Sequence, residues 1–520
     1  MRQPNPSTPI LIILPALALI PVMSGILTGL HNGGITVLLG FFYASLHPSL
    51  EPIVIQSALR GLQITVATAL ISWVISTFSG LILGLLSSRI FWHVFGFPEW
   101  RSKTIRRLLA IPRSIHELIW GLLLLQLFGL SPWVAIIAIS IPHSSLIARV
   151  FCDQLESLDH SRLFALRQSG ASQISALTTA LLPPMLPIIN SYGGYRLECA
   201  LRGATLLGVF GMGGIGTELQ LTLQSLQFRE MWTSLWILGC VMLILETTLG
   251  WWRKAPSDSI QSERQLLISI GVMLILVVIS LLWLQELDVS LISNFQWHPI
   301  TGPTISEVKN AFFELPWLNL ICNTLLMTLL AAGIAIGGPP LGMMIWPTRI
   351  GITCQSFVWS FLRLVPPPLS ALLLLLCTSP SISVAALALG LQNLGVMGRL
   401  LKEGINHQSK DLYNAIHLSG SGKRIAWLYG ALSPQSKSYL AYASYRTDVL
   451  LRETAVVGVV GGVGLGWQLQ ESLSSFDWAQ VLFVTTAYSS LTLIGESMSE
   501  RARQYMLNST KNPPNPLLHN

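Results

Sequence analysis

The chain has 520 residues, 51% hydrophobic and only 11% charged, with a formal net charge of +7 and a mean hydropathy of +0.59. Soluble domains carry roughly 25% charged residues, and apolar runs of about 18 or more residues recur here, so a soluble fold is excluded and an all-α polytopic membrane protein is expected. The positive charge then belongs to basic cytoplasmic loops and does not imply a nucleic-acid partner.

In chain order, the first expected span is about 9–30. Its apolar run is too long for a signal-peptide core and no small-x-small cleavage site follows, so it reads as an uncleaved span. A second span at about 61–88 carries Gly80 and Gly84 in a GxxxG spacing that permits close helix contact. A basic loop follows (Arg89, Arg101, Lys103, Arg106, Arg107), then spans at about 115–130 and 133–150. Residues 151–184 are polar and amphipathic. Further spans are expected at about 186–210 and 232–250, the first followed by a Gly-rich segment. The second half repeats the plan at about 266–285, 320–346, 364–378, 382–398, 436–460 and 479–496.

Loops alternate in charge. Those at 89–107, 149–184, 251–265, 349–363, 399–435 and 501–511 are basic; the others, including 286–319 with Glu286, Asp288, Glu307 and Glu314, are neutral or acidic. The positive-inside rule places the basic loops and both termini in the cytoplasm, with about six spans per half and twelve in all. An even number of spans makes the halves a parallel repeat.

The repeat is visible in the residues. A shift of 250 superimposes Ser169-Gly170 on Ser419-Gly420, Pro184 on Pro434, Tyr195-Arg196 on Tyr445-Arg446, Arg202 on Arg452, Gly216 on Gly466 and Leu219-Gln220 on Leu469-Gln470. The period is far too long for a solenoid. It marks two homologous units, 1–255 with a polar loop at about 151–184, and 256–520 with one at about 399–435.

Charges occur inside apolar context. Tyr195, Arg196, Glu198 and Arg202 sit in one expected span; Tyr445, Arg446, Asp448, Arg452 and Glu453 sit in its counterpart. Each ionised group at mid-bilayer costs roughly 2.5–3.5 kcal/mol, so these residues must face protein or a water-filled path. Glu198–Arg202 and Asp448–Arg452 are spaced i,i+4 and can pair along one helix face, which leaves Arg196 and Arg446 without a partner at that spacing. Two readings stay open. The charges form structural salt bridges, or the arginines line a path that attracts an anion with phosphate-like oxygens.

Several motifs are look-alikes. GMGGIG at 211–216 follows an apolar helix rather than a βαβ strand, and Val463 breaks the pattern in its counterpart GGVGLG, so both read as Gly-rich bends at the outer end of a span. SGSGKR at 419–424 fails the phosphate-loop pattern, with His417 at the first glycine and Arg424 after Lys423, so no ATP or other cofactor is expected on this chain. His116-Glu117 is not part of an HExxH pair, and His143, the counterpart of Asn393, reads as a hydrogen-bonding residue. The six cysteines are scattered singly and read as small apolar residues, not metal ligands or disulfides. No nucleophile–base constellation appears, and an enzyme is not expected.

The polar loops carry the informative pattern. Ala165, Gly170 and Leu182-Pro183 in the first half, with Ala415, Gly420 and Leu432 (Pro434 one residue late) in the second, resemble the EAA loop of ABC importer permeases. The Glu position of that motif holds Phe164 and Asn414, and Ser433 replaces the second proline. The continuation SYGGYRLECALRGATLLGVFGMGGIGTELQ, with RSIHELIWGLLL at 113–124, is similar to the permeases of phosphonate and phosphite importers, His116 standing where a proline is usual. The resemblance implies a separate ATPase docked at the loops and a separate extracytoplasmic binding protein. It implies an inner- or plasma-membrane permease for phosphonate, phosphite or a related oxyanion, fused so that it need not homodimerise. Tyr195, Arg196, Glu198, Arg202, Tyr445, Arg446, Asp448 and Arg452 are then candidates for the translocation path. Gly211, Gly213, Gly214, Gly216, Gly461, Gly464 and Gly466 are candidates for an outer gate. Fused permeases for ferric iron or thiamine share the architecture without the Tyr-Arg-acidic helix. A gradient-driven secondary transporter with two parallel halves is the alternative from another class.

Overall fold

The computed structural model describes residues 8–253, 262–287, 303–409 and 411–508; Lys254, Asp288, Lys410 and the 255/256 junction lie outside the described residues. Among those described, the regular elements are helices. In the first part of the chain these are α1 (Ile10–Thr28), α2 (Pro52–Ser87), α3 (Trp100–Ser114), α4 (Glu117–Phe128), α5 (Pro132–Ser157) and α6 (Ser161–Gln168). There follow α7 (Gln173–Leu207), α8 (Ile215–Gln224), α9 (Phe228–Arg253) and α10 (Ser262–Glu286). The later part has α11 (Trp317–Ile345), α12 (Arg349–Leu364), α13 (Pro367–Leu375), α14 (Ile382–Asn406) and α15 (Asp411–Leu418), then α16 (Ser433–Gly461), α17 (Gly464–Ser474) and α18 (Trp478–Asn508).

Eight described helices are long and apolar enough to cross a membrane, or ten if the bent pairs α3–α4 and α12–α13 each count as one crossing. The chain is a multi-pass membrane protein. Length and apolarity fall short of the expected twelve because α16 holds Lys437, Arg446, Asp448, Arg452 and Glu453, and α18 is rich in Thr and Ser. Both bends, of 83° and 93°, fall where helical hydrogen bonding cannot continue. At the first, the ring Nδ1 of His116 accepts from Leu118 N and caps α4. At the second, Pro366-Pro367-Pro368 removes successive donors.

The polar segment 151–184 is more helical than its composition implied. α5 runs on to Ser157, and α7 begins at Gln173 and carries Pro183, Pro184 and Pro187 inside it. Proline's fixed φ suits a helix even though its missing N–H weakens the ladder. In the second half the same region is a π-turn, Leu428–Leu432, followed by Pro434 in the first turn of α16. Both halves therefore interrupt the regular ladder at this level by different means.

Packing divides the chain into two compact units, Tyr43–Thr301, and Met1–Phe42 with Gly302–Asn520. Their borders differ from those of the sequence repeat. α10, the opening helix of the second repeat, packs in the unit of α2, where Leu284 is buried with Ala67, Ile71 and Ile136. α1 packs in the other unit. There Gly333 and Gly337 of α11 meet Pro15, Ala16 and Ala18, and His31 N donates to Cys377 O at 2.9 Å. In the first unit, Gly80 and Gly84 face Ile147, Ala148 and Phe151 of α5, as their spacing suggested.

A β-carbon on Gly337 would lie 2.1 Å from Ala16 N, a backbone atom that cannot rotate away. Gly337→Leu is expected to destabilise the protein by about 1–3 kcal/mol through overpacking, read as earlier thermal unfolding in detergent. An unchanged midpoint would show that α1 does not dock on this glycine.

Candidate translocation and coupling sites

The two i,i+4 pairs expected from sequence form: Arg202 with Glu198 on α7, and Arg452 with Asp448 on α16. Arg446 is also engaged. Its Nε donates to Asn393 Oδ1, and its Nη2 lies 3.3 Å from Glu453 Oε1. Asn393 Nδ2 donates to Glu453 Oε2 at 2.7 Å and to Leu389 O at 3.0 Å. A guanidinium, an amide and a carboxylate thus close a ring between α14 and α16. Glu453 was missed as a site residue; the signal was its position seven residues, two helical turns, beyond Arg446 on one face.

The first half cannot build that ring, because His143 replaces Asn393 and Gly203 replaces Glu453. Arg196 is buried at 6% exposure, with its guanidinium carbon 5.9 Å from the Tyr192 ring. A carboxylate arrives from another helix. Glu117, the first residue of α4, places Oε1 3.3 Å from where a β-carbon on Gly203 would sit, and its Oε2 is 3.5 Å from His116 Nε2. Its own counterpart in the second half is Pro367. Each half therefore carries two arginines and two carboxylates, with one carboxylate supplied by different helices. Charge balance of this kind is what a low-dielectric interior requires. Arg202 and Arg452 keep 23% and 11% side-chain exposure against 8% for Arg446. Tyr195 and Tyr445 are half-buried beside Tyr192 and Tyr442, with rings 6.1 and 5.8 Å apart.

The glycine segments bend the chain between a long helix and a short one. In the first, Gly211, Gly213 and Gly214 have φ of +86°, +91° and +90°, and α8 begins at once. Thr65 Oγ1 on α2 accepts Ile215 N at 2.9 Å and so satisfies an open helix-start donor. In the second, Thr324 Oγ1 on α11 accepts Leu465 N at 3.0 Å. The left-handed positions there are Gly462 and Gly464, and Val463 has an extended φ of −139°. The valine that broke the motif stands where a β-branched residue is comfortable. Gly216 and Gly466 permit close contact, since a β-carbon would lie 2.1 Å from Thr205 O and 2.6 Å from Ala455 O; Gly461 closes α16 near Ala385.

The short helices α6 and α15 each end in an exposed turn whose glycine, Gly170 or Gly420, has φ +90° and open space where a side chain would project. Ala165 and Ala415 are exposed on them. α6 is fixed from beneath by Leu163, fully buried with Leu155, Leu177, Leu181 and Met185. Its start is held by Asp159, which accepts from Ser161 N and Oγ; these bonds hold the carboxyl below its usual range. In α15, Tyr413 replaces Leu163 and packs against Gly430 and the Trp427 ring. Leu182 and Pro183 are half-buried, Leu432 is buried and Pro434 is exposed.

Residues 80–293 match the family described as "Binding-protein-dependent transport system inner membrane component". Those residues are similar to the membrane component of binding-protein-dependent transport systems. The chain is 25% identical over 402 residues to the phosphate-import permease protein PhnE of Mycolicibacterium smegmatis, covering 72% of each chain. It is 28% identical over 187 residues to a putative phosphite transport system permease protein, HtxC, of Stutzerimonas stutzeri, covering 36% of this chain and 64% of the relative. To the phosphite transport system permease protein PtxC of the same organism it is 29% identical over 149 residues, covering 29% and 54%. It resembles ABC permeases of the phosphonate and phosphite class.

The exchange of carboxylates generates a test. Glu117→Ala removes a carboxylate that keeps 18% side-chain exposure and lies beside His116 and the Gly203 position, and a cost of about 1 kcal/mol is expected. Adding Gly203→Glu, which supplies the second half's arrangement, is expected to recover most of the folded yield and thermal midpoint. Failure of the second change to rescue the first would separate the two carboxylates in role.

Proposed function

We propose that this permease is the membrane subunit of an ABC importer for phosphonate, phosphite or a related phosphorus oxyanion, driven by a separate ATPase and fed by an extracytoplasmic binding protein. The observation that carries this reading is the similarity to a phosphate-import permease over 72% of both chains. Two permease units of six crossings each lie in parallel orientation with both termini cytoplasmic, so a second copy of the chain is not needed. ATP is bound by the ATPase, not by this chain.

In this reading α6 and α15, with Ala165, Gly170, Leu182, Pro183, Ala415, Gly420, Leu432 and Pro434, receive the ATPase stroke. The Gly170 and Gly420 turns leave open surface at the end of each helix, and that supports a docking role. The stroke rocks the halves between outward- and inward-facing states. The ring of Arg446, Asn393 and Glu453 keeps α14 with α16 moving as a packed pair. Arg202 and Arg452, the more exposed of the arginines, offer guanidinium forks to the passing anion. The glycine bends at 211–216 and 461–466 form the outer gate.

The test is reconstitution with the cognate ATPase and binding protein in vesicles, following labelled phosphite and phosphonate. Uptake that requires ATP and the binding protein is expected. Uptake that follows an ion gradient without the ATPase would replace this reading by a secondary transporter. A side chain at φ +90° costs roughly 1–2 kcal/mol and blocks the exposed turn. Gly170→Leu combined with Gly420→Leu is therefore expected to abolish ATP-driven uptake while leaving membrane insertion and abundance near wild type. Unchanged uptake in that double variant would remove the coupling assignment.

A further inference from the structure

The elbow helix α3 has no role in the coupling or translocation sites, yet its surface is patterned. Trp100, Leu108 and Ile111 are exposed at 60%, 61% and 52%, and Lys103, Thr104 and Arg107 are exposed between them. On a helix these apolar residues and Thr104 fall within a sector of about 80°, with Lys103 and Arg107 along one edge. The inner face is fixed: Ser102 Oγ donates to Ser87 O at 2.6 Å, and Arg106 pairs with Glu156 and donates to Ser87 O at 2.8 Å. At the start of α3 the Arg101 guanidinium lies 4.2 Å from the Phe97 ring centroid, 5.2 Å from Trp92 and 6.0 Å from Trp100. Aromatic rings beside a basic group are suited to the depth where acyl chains meet headgroups.

The second half supplies an internal comparison. α12 exposes the same register, with Ile350, Phe357 and Val358 at 72%, 68% and 49% and Thr353 and Cys354 also exposed. The 250-residue shift replaces Arg101, Lys103 and Arg107 by Gly351, Thr353 and Phe357. The apolar face is kept and the basic edge is lost.

We propose that α3 lies in the cytoplasmic leaflet and binds anionic phospholipid headgroups through Arg101, Lys103 and Arg107, whereas α12 meets acyl chains without selecting headgroup charge. The inference rests on the reading of the chain as a membrane permease but not on its substrate. The occupant is chosen by charge complementarity together with the apolar sector, and by the direct junction of α3 with the apolar helix α4. An acidic protein surface would use the cations but leave Leu108 and Ile111 unexplained.

The experiment places the full chain, without ATPase or substrate, in phosphatidylcholine vesicles holding a minority of phosphatidylglycerol. Native mass spectrometry after mild release counts the lipids retained. Wild type is expected to retain phosphatidylglycerol preferentially, and Lys103→Thr with Arg107→Phe, the residues tolerated on α12, to lose on the order of tenfold in that preference. The reciprocal Thr353→Lys with Phe357→Arg is expected to add retained phosphatidylglycerol. Unchanged preference in the first variant with no gain in the second would overturn the proposal. So would unchanged lipid retention accompanied by loss of ATPase association, which would assign the face to a protein partner. Because lipid retention is read without ATPase or substrate, failure of the oxyanion reading would leave this result unchanged.

Discussion

A buried guanidinium must be neutralised, and the packing of α14 on α16 is arranged around that requirement. Arg446 is held by Asn393 and Glu453 in a ring that ties α14 to α16, while Arg452 is held by Asp448 on its own helix. Removing a charge of this kind from water costs several kcal/mol unless its hydrogen bonds are replaced. The neighbouring helices are therefore constrained in register by polar geometry as well as by packing. Apolar contact alone fixes register loosely in a membrane, because lipid tails are as apolar as side chains.

Small residues supply the second constraint. Gly80 and Gly84 let α5 approach α2, and Gly333 and Gly337 let α1 lie across α11. The second contact holds α1 in the compact unit of α11, and α10 packs in the unit of α2 through Leu284.

The halves have diverged where divergence was chemically compensated. Glu453 fills a place that Gly203 leaves open, and Glu117 reaches that place from another helix. Val463 occupies the one position of its bend that remains extended, while left-handed geometry is carried by Gly462 and Gly464. Prolines inside α7 and a π-turn before α16 both relax the helical ladder at one level. The two elbows keep an apolar face but differ in charge.

The sequence by itself determined the membrane character and the i,i+4 pairs Glu198–Arg202 and Asp448–Arg452. These depend on composition or on residues a turn or less apart, where helix geometry leaves little choice. The start of α7 at Gln173 precedes the span expected at about 186–210, because the polar residues before it continue the helix and proline's fixed φ is compatible with one. The partners of Arg446, the place of Glu117 and the exchange of α1 and α10 were decided by tertiary structure. Each joins residues dozens to hundreds of positions apart, and several carboxylates in the chain had the right chemistry. Only the packed backbone determines which of them reaches the buried charge.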